Sequence, residues 1–454
     1  MPGTKQLRRD LTLVNTNAAV WAVGNGLVSS TLVIYLALEL GAPGAAIGLI
    51  LAAKRFAGVL RLAAPVMLGR LGRRKPLCIG LLAASSAVLI AMPALAAPQR
   101  WESVAGGVGF LVFSWCLYHL LEYLGVVLLW SWLNDLMPPP IQGRLIGRRE
   151  SWLVIGRIIG LAASFGLVSL WGWIAPDADR WEPLAWSAMI GALFLLASVL
   201  PLVFMSASEQ RGAVPATLPW REMLVSLTDR RYRRLLIFSC GFAVANGITA
   251  SAQALYPWRV LGISYPAMLG LRGMMRTGQA ALAPVAGWWL DRRGARAMLV
   301  TAQLIVATGP LFFFVATPQA WWLLGGAFVV WIAYAPMNVG LDHLKLSLAP
   351  PGCTTPALAV YYALSDLTNG VVAVLGGILY DRLSAGGANT LQLYGALFLA
   401  GWALRSAVAA LLLRIDEPPS NLSGDRPLPL LGAISGEQRQ DHVEAIRSPW
   451  HATG

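Results

Sequence analysis

Apolar runs of about twenty residues, separated by short polar breaks, recur along nearly the whole chain. They lie near 13–38, 45–68, 76–96, 107–134, 146–172, 185–206, 233–256, 265–290, 297–316, 320–347, 355–380 and 390–413. A helix needs about 20 mostly apolar residues to cross a bilayer core, and it satisfies its own backbone hydrogen bonds there. The pattern therefore predicts an all-α integral membrane protein with about twelve transmembrane helices. The breaks carry turn residues, such as Gly41-Ala42-Pro43 and Met137-Pro138-Pro139-Pro140.

One longer polar break runs from Ser206 to Arg234. Within it Trp220, Met223, Leu224 and Leu227 recur at helical spacing, with Arg221, Glu222, Asp229 and Arg230 off that stripe. This predicts a helix lying on the membrane surface, apolar side toward lipid. The expected organisation is a cytoplasmic N-terminus (1–12), a six-helix bundle (13–206), a linker with the amphipathic helix (207–232), a second six-helix bundle (233–414) and a polar, poorly ordered tail (415–454).

The two halves repeat each other. Val23-Gly24-Asn25-Gly26-Leu27 matches Val244-Ala245-Asn246-Gly247-Ile248, and the same offset takes Tyr35 to Tyr256 and Gly41 to Gly262. One residue later in register, Gly48 maps to Gly270 and Lys54 to Arg276. An ordered series of this kind predicts two pseudo-symmetric bundles with a ligand site between them near the midplane.

Composition agrees with a lipid-facing surface. Of 454 residues, 57% are hydrophobic and 13% charged, with mean hydropathy +0.61; soluble domains carry about 25% charged residues. The net charge of +13 is topogenic here and no sign of nucleic acid. With the N-terminus placed in the cytoplasm, Lys and Arg concentrate in the cytoplasmic segments, and the outer loops hold only Arg100, Arg180, Arg259 and Arg382. Both termini are then cytoplasmic, and the arginine-rich, compact chain fits a bacterial inner membrane. Lys5, Arg8 and Arg9 precede a long apolar run without a small-residue cleavage site, which predicts a retained first helix.

The same reading argues against other chemistries. Cys78, Cys116, Cys240 and Cys353 form no CxxC, and the histidines show no metal-ligand spacing, so neither a disulfide framework nor a metal site is expected. No phosphate-binding GxxxxGK[ST] loop is present. The close acid pair Asp177 and Asp179 falls in an outer loop. No enzyme activity and no cofactor is expected.

Charges inside the apolar runs stand out, because an ionisable group at mid-bilayer costs about 2.5–3.5 kcal/mol and so faces a cavity or a partner. Lys54 and its repeat-equivalent Arg276 lie close to mid-depth, and Arg61 and Arg272 share their respective helix faces. With Asn25, Asn246, Gln253, Asn338 and Tyr362 they form the candidate substrate-binding set. Arg55 and Arg157 add positive charge. His119 and Glu122 make one polar stripe, Asn338, Asp342 and Lys345 a second, and Tyr362, Ser365, Asp366 and Asn369 a third. Glu122, His119, Asp342 and Asp366 are the candidate proton-coupling groups. For each of these residues the alternative is a structural pair, as between Asp342 and Lys345, or an interhelical hydrogen bond; for Asn25 and Asn246 helix packing is the default. The positive excess points to an anionic or zwitterionic substrate.

The loop Gly287-Trp288-Trp289-Leu290-Asp291-Arg292-Arg293-Gly294-Ala295-Arg296 resembles the G-x-x-x-D-R-x-G-x-R motif of the major facilitator superfamily. The first-half loop keeps Arg70, Gly72 and Arg73 but has Gly69 where the acid is expected, and Gly377 to Arg382 is a partial echo. The resemblance covers about 11–414 and implies two bundles that rock around a central cavity. It further implies a gating role for Asp291, Arg292, Gly294, Arg296, Arg70, Gly72 and Arg73. The expected function is a secondary transporter of a small molecule, acting by alternating access as a monomer in the lipid bilayer. The alternative is a non-transporting scaffold of the same fold that binds a pigment, lipid or protein.

Overall fold

The computed structural model describes residues 4–62, 74–136, 142–175, 177–206, 220–350, 353–387 and 389–415. The motif positions Gly69, Arg70, Gly72 and Arg73 and the tail from 416 onward lie outside them. All regular structure among the described residues is helical.

Among the described residues the helices follow one another as twelve crossings. Crossing 1 is built from Thr4–Leu27 and Ser30–Glu39, crossing 2 from Gly44–Val59 and Leu60–Leu62, crossing 3 from Arg74–Leu95, crossing 4 from Val104–Leu136, crossing 5 from Gln142–Ile174 and crossing 6 from Trp181–Ala197 and Val199–Phe204. Crossing 7 is Arg230–Arg259, crossing 8 Tyr265–Arg293, crossing 9 Ala295–Ala307 with Gly309–Val315, crossing 10 the segment from Trp321 to Ser347, crossing 11 Thr354–Ala385 and crossing 12 Thr390–Leu412. Ten of these are long and apolar enough to cross a membrane by themselves. Crossings 2 and 8 are the other two; crossing 2 carries Lys54 and Arg55 and crossing 8 carries Arg272 and Arg276, so the charges that mark the site also weaken the local hydropathy.

The first crossing begins at Thr4, earlier than the apolar run implies. Its first turns are tied down: the Ser206 amide donates to the buried Asp10 carboxylate at 3.1 Å, and Gln6 donates to the Ser206 hydroxyl at 2.9 Å. The linker helix is Trp220–Thr228. Its stripe is split: Met223 is buried with Tyr232, Leu412 and Ile415, while Leu224 and Leu227 stay exposed. Met223 is thus taken up by the second bundle.

Glycines set how closely the crossings approach. A Cβ at Gly26 would lie 2.6 Å from the Arg157 carbonyl oxygen, and one at Gly160 2.1 Å from that of Val23, so crossing 1 rests backbone to backbone on crossing 5. The repeat-equivalent Gly247 abuts Asn369 to Ala373, and Gly376 meets the Ile248 carbonyl, so crossing 7 rests on crossing 11 in the same way. Small residues allow this approach where lipid gives no hydrophobic drive. Gly41 and Gly262, also repeat-equivalent, take φ +75° and +65° in the turns after crossings 1 and 7, a region that favours glycine.

Between the bundles, crossing 2 lies along crossing 11 and crossing 5 against crossing 8. A Cβ at Gly377 would lie 2.2 Å from the Gly44 carbonyl oxygen and one at Gly48 2.6 Å from that of Ala373. At the face remote from the termini this contact is sealed by polar groups. The helix Gly44–Val59 starts at Pro43 without a side-chain cap of its own, and Asp381 of the other bundle supplies one: its two oxygens accept from the amides of Gly44 (2.6 Å) and Ala45 (2.8 Å). A carboxylate there meets the positive end of the helix dipole. Arg259 donates to the Ala42 carbonyl at 2.7 Å, and the Tyr35 hydroxyl donates to the Ile263 carbonyl at 2.9 Å.

Two outcomes follow. Asp381→Asn weakens this seal by about 1 kcal/mol. A single cysteine at Ser264, in a background lacking Cys78, Cys116, Cys240 and Cys353, then reacts faster with a membrane-impermeant maleimide; equal rates with and without the carboxylate would contradict the latch. Separately, Gly294 ends crossing 8 at φ 78°, ψ 166°, a conformation nearly reserved for glycine. Gly294→Ala is expected to destabilise the protein by about 1–3 kcal/mol, read as a lowered unfolding midpoint in detergent.

Candidate functional site

A cavity of 190 Å³ lies between the bundles, lined by crossings 1, 2, 7, 8, 9 and 10. Its walls are mostly apolar: Ile34, Leu51, Met268, Phe313, Phe328 and Trp331. Its polar groups are Thr31, Tyr35, Gln253 and Arg272. Periodicity explains the placement. Thr31, Ile34 and Tyr35 recur at i, i+3, i+4 on crossing 1, Ala250, Gln253 and Ala254 do the same on crossing 7, and Met268 and Arg272 are one turn apart on crossing 8.

Two of the residues lining this site carry an unpaired donor. Arg272 Nε and Gln253 Nε2 are buried and have no hydrogen-bond partner. The Gln253 amide oxygen is engaged from behind, accepting from Arg405 Nη2 at 3.5 Å. Leaving a buried donor unsatisfied costs about 1–3 kcal/mol, so such groups mark where an acceptor is missing.

Positive charge accumulates around them. Arg276 lies one turn beyond Arg272 and close enough to both Arg272 and Arg157, on the facing crossing 5, for mutual repulsion. Arg276 Nη1 donates to Gln279 at 3.0 Å, and Gln279 donates to the Trp331 carbonyl at 2.9 Å. No ion pair joins Arg157, Arg272 or Arg276 to a carboxylate among the described residues. Lys54 is exposed on the crossing 2 helix, within one turn of the cavity-lining Leu51. Arg61 and Asp291 are described by their backbone positions alone.

The other sequence candidates fall into separate clusters. His119 Nδ1 and Glu122 Oε2 are 3.2 Å apart, both buried inside the first bundle, with Trp115 set edge-on against the imidazole at 4.4 Å between centroids. The Tyr118 hydroxyl reaches both Glu122 and Asn25. On the other side of the pseudo-symmetry the Tyr334 hydroxyl donates to Asn246 at 3.3 Å. Each repeat asparagine thus meets a tyrosine of crossing 4 or crossing 10. Asp366 pairs with Arg55 at 2.7 Å, joining crossing 11 to crossing 2. Lys345 pairs with Asp342, accepts the company of the Tyr361 and Tyr362 rings, and donates to the Tyr362 hydroxyl at 3.0 Å. Asn338 and Asp342 are exposed on that helix. Of the motif residues, Arg292 stacks over Trp288 at 4.4 Å, Gly294 makes the turn, and Arg296 is exposed on crossing 9.

One residue escaped sequence reasoning. Arg405, on crossing 12, is 2% exposed, and its Nε and Nη1 have no partner. The signal was available: an arginine inside the apolar run 390–413 carries the same insertion cost that singled out Lys54.

Comparison with known proteins matches the fold. The sequence profile of the Major Facilitator Superfamily matches residues 274–451. A crystal structure of a mutant nucleoside transporter NupG superposes with TM-score 0.67 at 16% identity, covering 89% of this chain and 99% of that one. A D-xylose-proton symporter does so with TM-score 0.64 at 14% identity, covering 92% and 99%. The inward-open xylose transporter XylE from E. coli gives TM-score 0.61 at 15% identity, covering 91% and 98%. Two six-helix bundles, an internal repeat and the loop ending at Gly294 agree with these matches: the chain has the fold of the major facilitator transporters, and its second half matches that superfamily's profile over residues 274–451.

Proposed function

We propose that this protein is a secondary transporter that carries a small organic anion by alternating access. The observation that carries the reading is the pair of unpartnered donors, Arg272 Nε and Gln253 Nε2, on residues that line a mostly apolar cavity between the bundles. An anion with an apolar body would satisfy both surfaces at once: its oxygens accept from Arg272 and Gln253, and its body packs on Phe313, Phe328 and Trp331. The cavity volume favours a compact substrate such as an aromatic or branched monocarboxylate. The related folds, a nucleoside transporter and a proton-coupled xylose symporter, support transport as the activity. Their named substrates are not acids, so the arginine cluster sets this chain's substrate class apart.

In this reading the face bearing the termini is cytoplasmic, in a bacterial inner membrane, and each chain works alone around its own cavity. The latch at Asp381 and Arg259 closes the outer face and must part when the site opens outward. Arg55 and Asp366 join the same two crossings nearer the cytoplasm. His119 and Glu122, buried together, are the proton-coupling pair: a proton gained by Glu122 would weaken its hold on His119 and Tyr118 and so loosen crossing 4.

The reading is tested by a thermal-shift screen of the purified protein followed by flux into liposomes. A ligand at 100 times its Kd stabilises by about 2.7 kcal/mol. Benzoate is expected to stabilise and to be taken up, while sugars and lipophilic cations are not. Arg272→Gln should raise the apparent KM about tenfold or more, the loss of one charge-assisted hydrogen bond. Stabilisation only by neutral or cationic compounds would overturn the anion reading, and binding without flux would favour a scaffold. Glu122→Gln should abolish accumulation driven by an imposed proton gradient yet keep counterflow; gradient-driven uptake at the wild-type level would remove the proton role.

A further inference from the structure

Arg405 is a buried cation with no carboxylate partner among the described residues. An uncompensated buried charge is strongly destabilising, so fold stability gives no reason for an arginine here. Its surroundings show what it holds. Gln303 Nε2 donates to the Arg405 carbonyl at 2.8 Å, which pins the backbone of crossing 12 to crossing 9. The guanidinium reaches crossing 7, where Nη2 lies 3.4 Å from the Thr249 hydroxyl and 3.5 Å from the Gln253 amide oxygen. Thr249 and Gln253 are one helical turn apart, so a single guanidinium group spans both.

A guanidinium has donors only. The primary amide of Gln253 has one end that accepts and one that donates, and the two ends have nearly the same shape. Beside Arg405 only the oxygen end is tolerated, because the amino end would set donor against donor next to a positive charge. The oxygen is therefore drawn toward Arg405, and Nε2, the other end of a side chain that lines the cavity, is left without a partner. Without the arginine nothing described would decide which end of the amide lines the cavity.

We infer that Arg405 is a positioning residue for substrate selection: it fixes the Gln253 amide so that Gln253 and Arg272 both present donors, and the site accepts a carboxylate in preference to its amide. This rests on the proposed anion-transport reading. Arg405 does not touch the substrate. It acts through Gln253 and through its positive potential, while Arg272 makes the direct contact.

The test compares two ligands of one shape, benzoate and benzamide. Their oxygens accept alike, but benzamide also brings an amino group that neither Arg272 nor the amino end of Gln253 can accept. Direct binding of each radiolabelled compound is measured on purified protein. Wild type is expected to prefer benzoate. Arg405→Met frees the amide to turn, so benzoate binding weakens about tenfold, benzamide binding tightens and the preference falls toward unity. Arg405→Lys keeps a donor-only cation and is expected to restore much of the preference, which a role in packing alone would not require. Gln253→Glu gives the arginine a counterion, so this variant folds even if Arg405→Met does not. It places acceptors at the cavity and should lose benzoate binding. If wild type shows no preference for benzoate, the anion reading falls and this inference with it. If wild type prefers benzoate and Arg272→Gln abolishes that preference, while Arg405→Met and Gln253→Glu retain it, the anion reading stands and the role of Arg405 is overturned.

Discussion

Backbone contact at glycine is the constraint on which the arrangement of this molecule depends. In lipid, apolar side chains gain nothing by leaving the solvent for each other, so helices associate through close packing and polar bonds. Gly26 on Gly160, Gly247 on Ala373 with Gly376 on Ile248, and Gly44 on Gly377 bring crossings near enough for main chains to touch. The first two contacts hold each bundle together at repeat-equivalent places. The third lies between the bundles, and there the contact is reinforced by Asp381 capping a helix of the other half. The same device therefore serves both within each bundle and between the two.

The polar groups divide by whether they are matched. Arg55 with Asp366, Lys345 with Asp342, and His119 with Glu122 are paired. Arg157, Arg272, Arg276 and Arg405 find no carboxylate among the described residues. Matched groups reduce the burial penalty and join helices, whereas unmatched ones hold a field and open donors at the cost of stability. That contrast, more than the shape of the cavity, gives the central site its proposed preference for an anion.

Much of the site was legible as a set of residues and little of it as a set of partners. The insertion cost of a charge flags Lys54, Arg272 and Arg276 wherever they sit in an apolar run, and helical spacing flags Gln253 as facing inward. Neither argument can tell Arg272, whose Nε is unpaired at the cavity, from Arg55, which is tied to Asp366 on a helix 311 positions away. Arg405 shows the opposite failure, since its depth was readable but its link to Gln253 runs between crossings 7 and 12. The linker helix was readable from its stripe, yet Met223 turned to protein because Tyr232 and Ile415 offered a buried place.

By itself the sequence determined the solvent, the secondary structure and the doubling of the fold. Each follows from local composition or from comparison of the chain with itself: long apolar runs leave only helices in lipid, and the repeat of Asn25-Gly26 as Asn246-Gly247, with the turn glycines Gly41 and Gly262, marks two similar halves. Which charges cancel, which carboxylate caps which helix and which donors stay open were decided by the tertiary structure alone. Pairing depends on distance between side chains far apart in the chain, and a helix encodes its own faces but not the residue that will stand opposite.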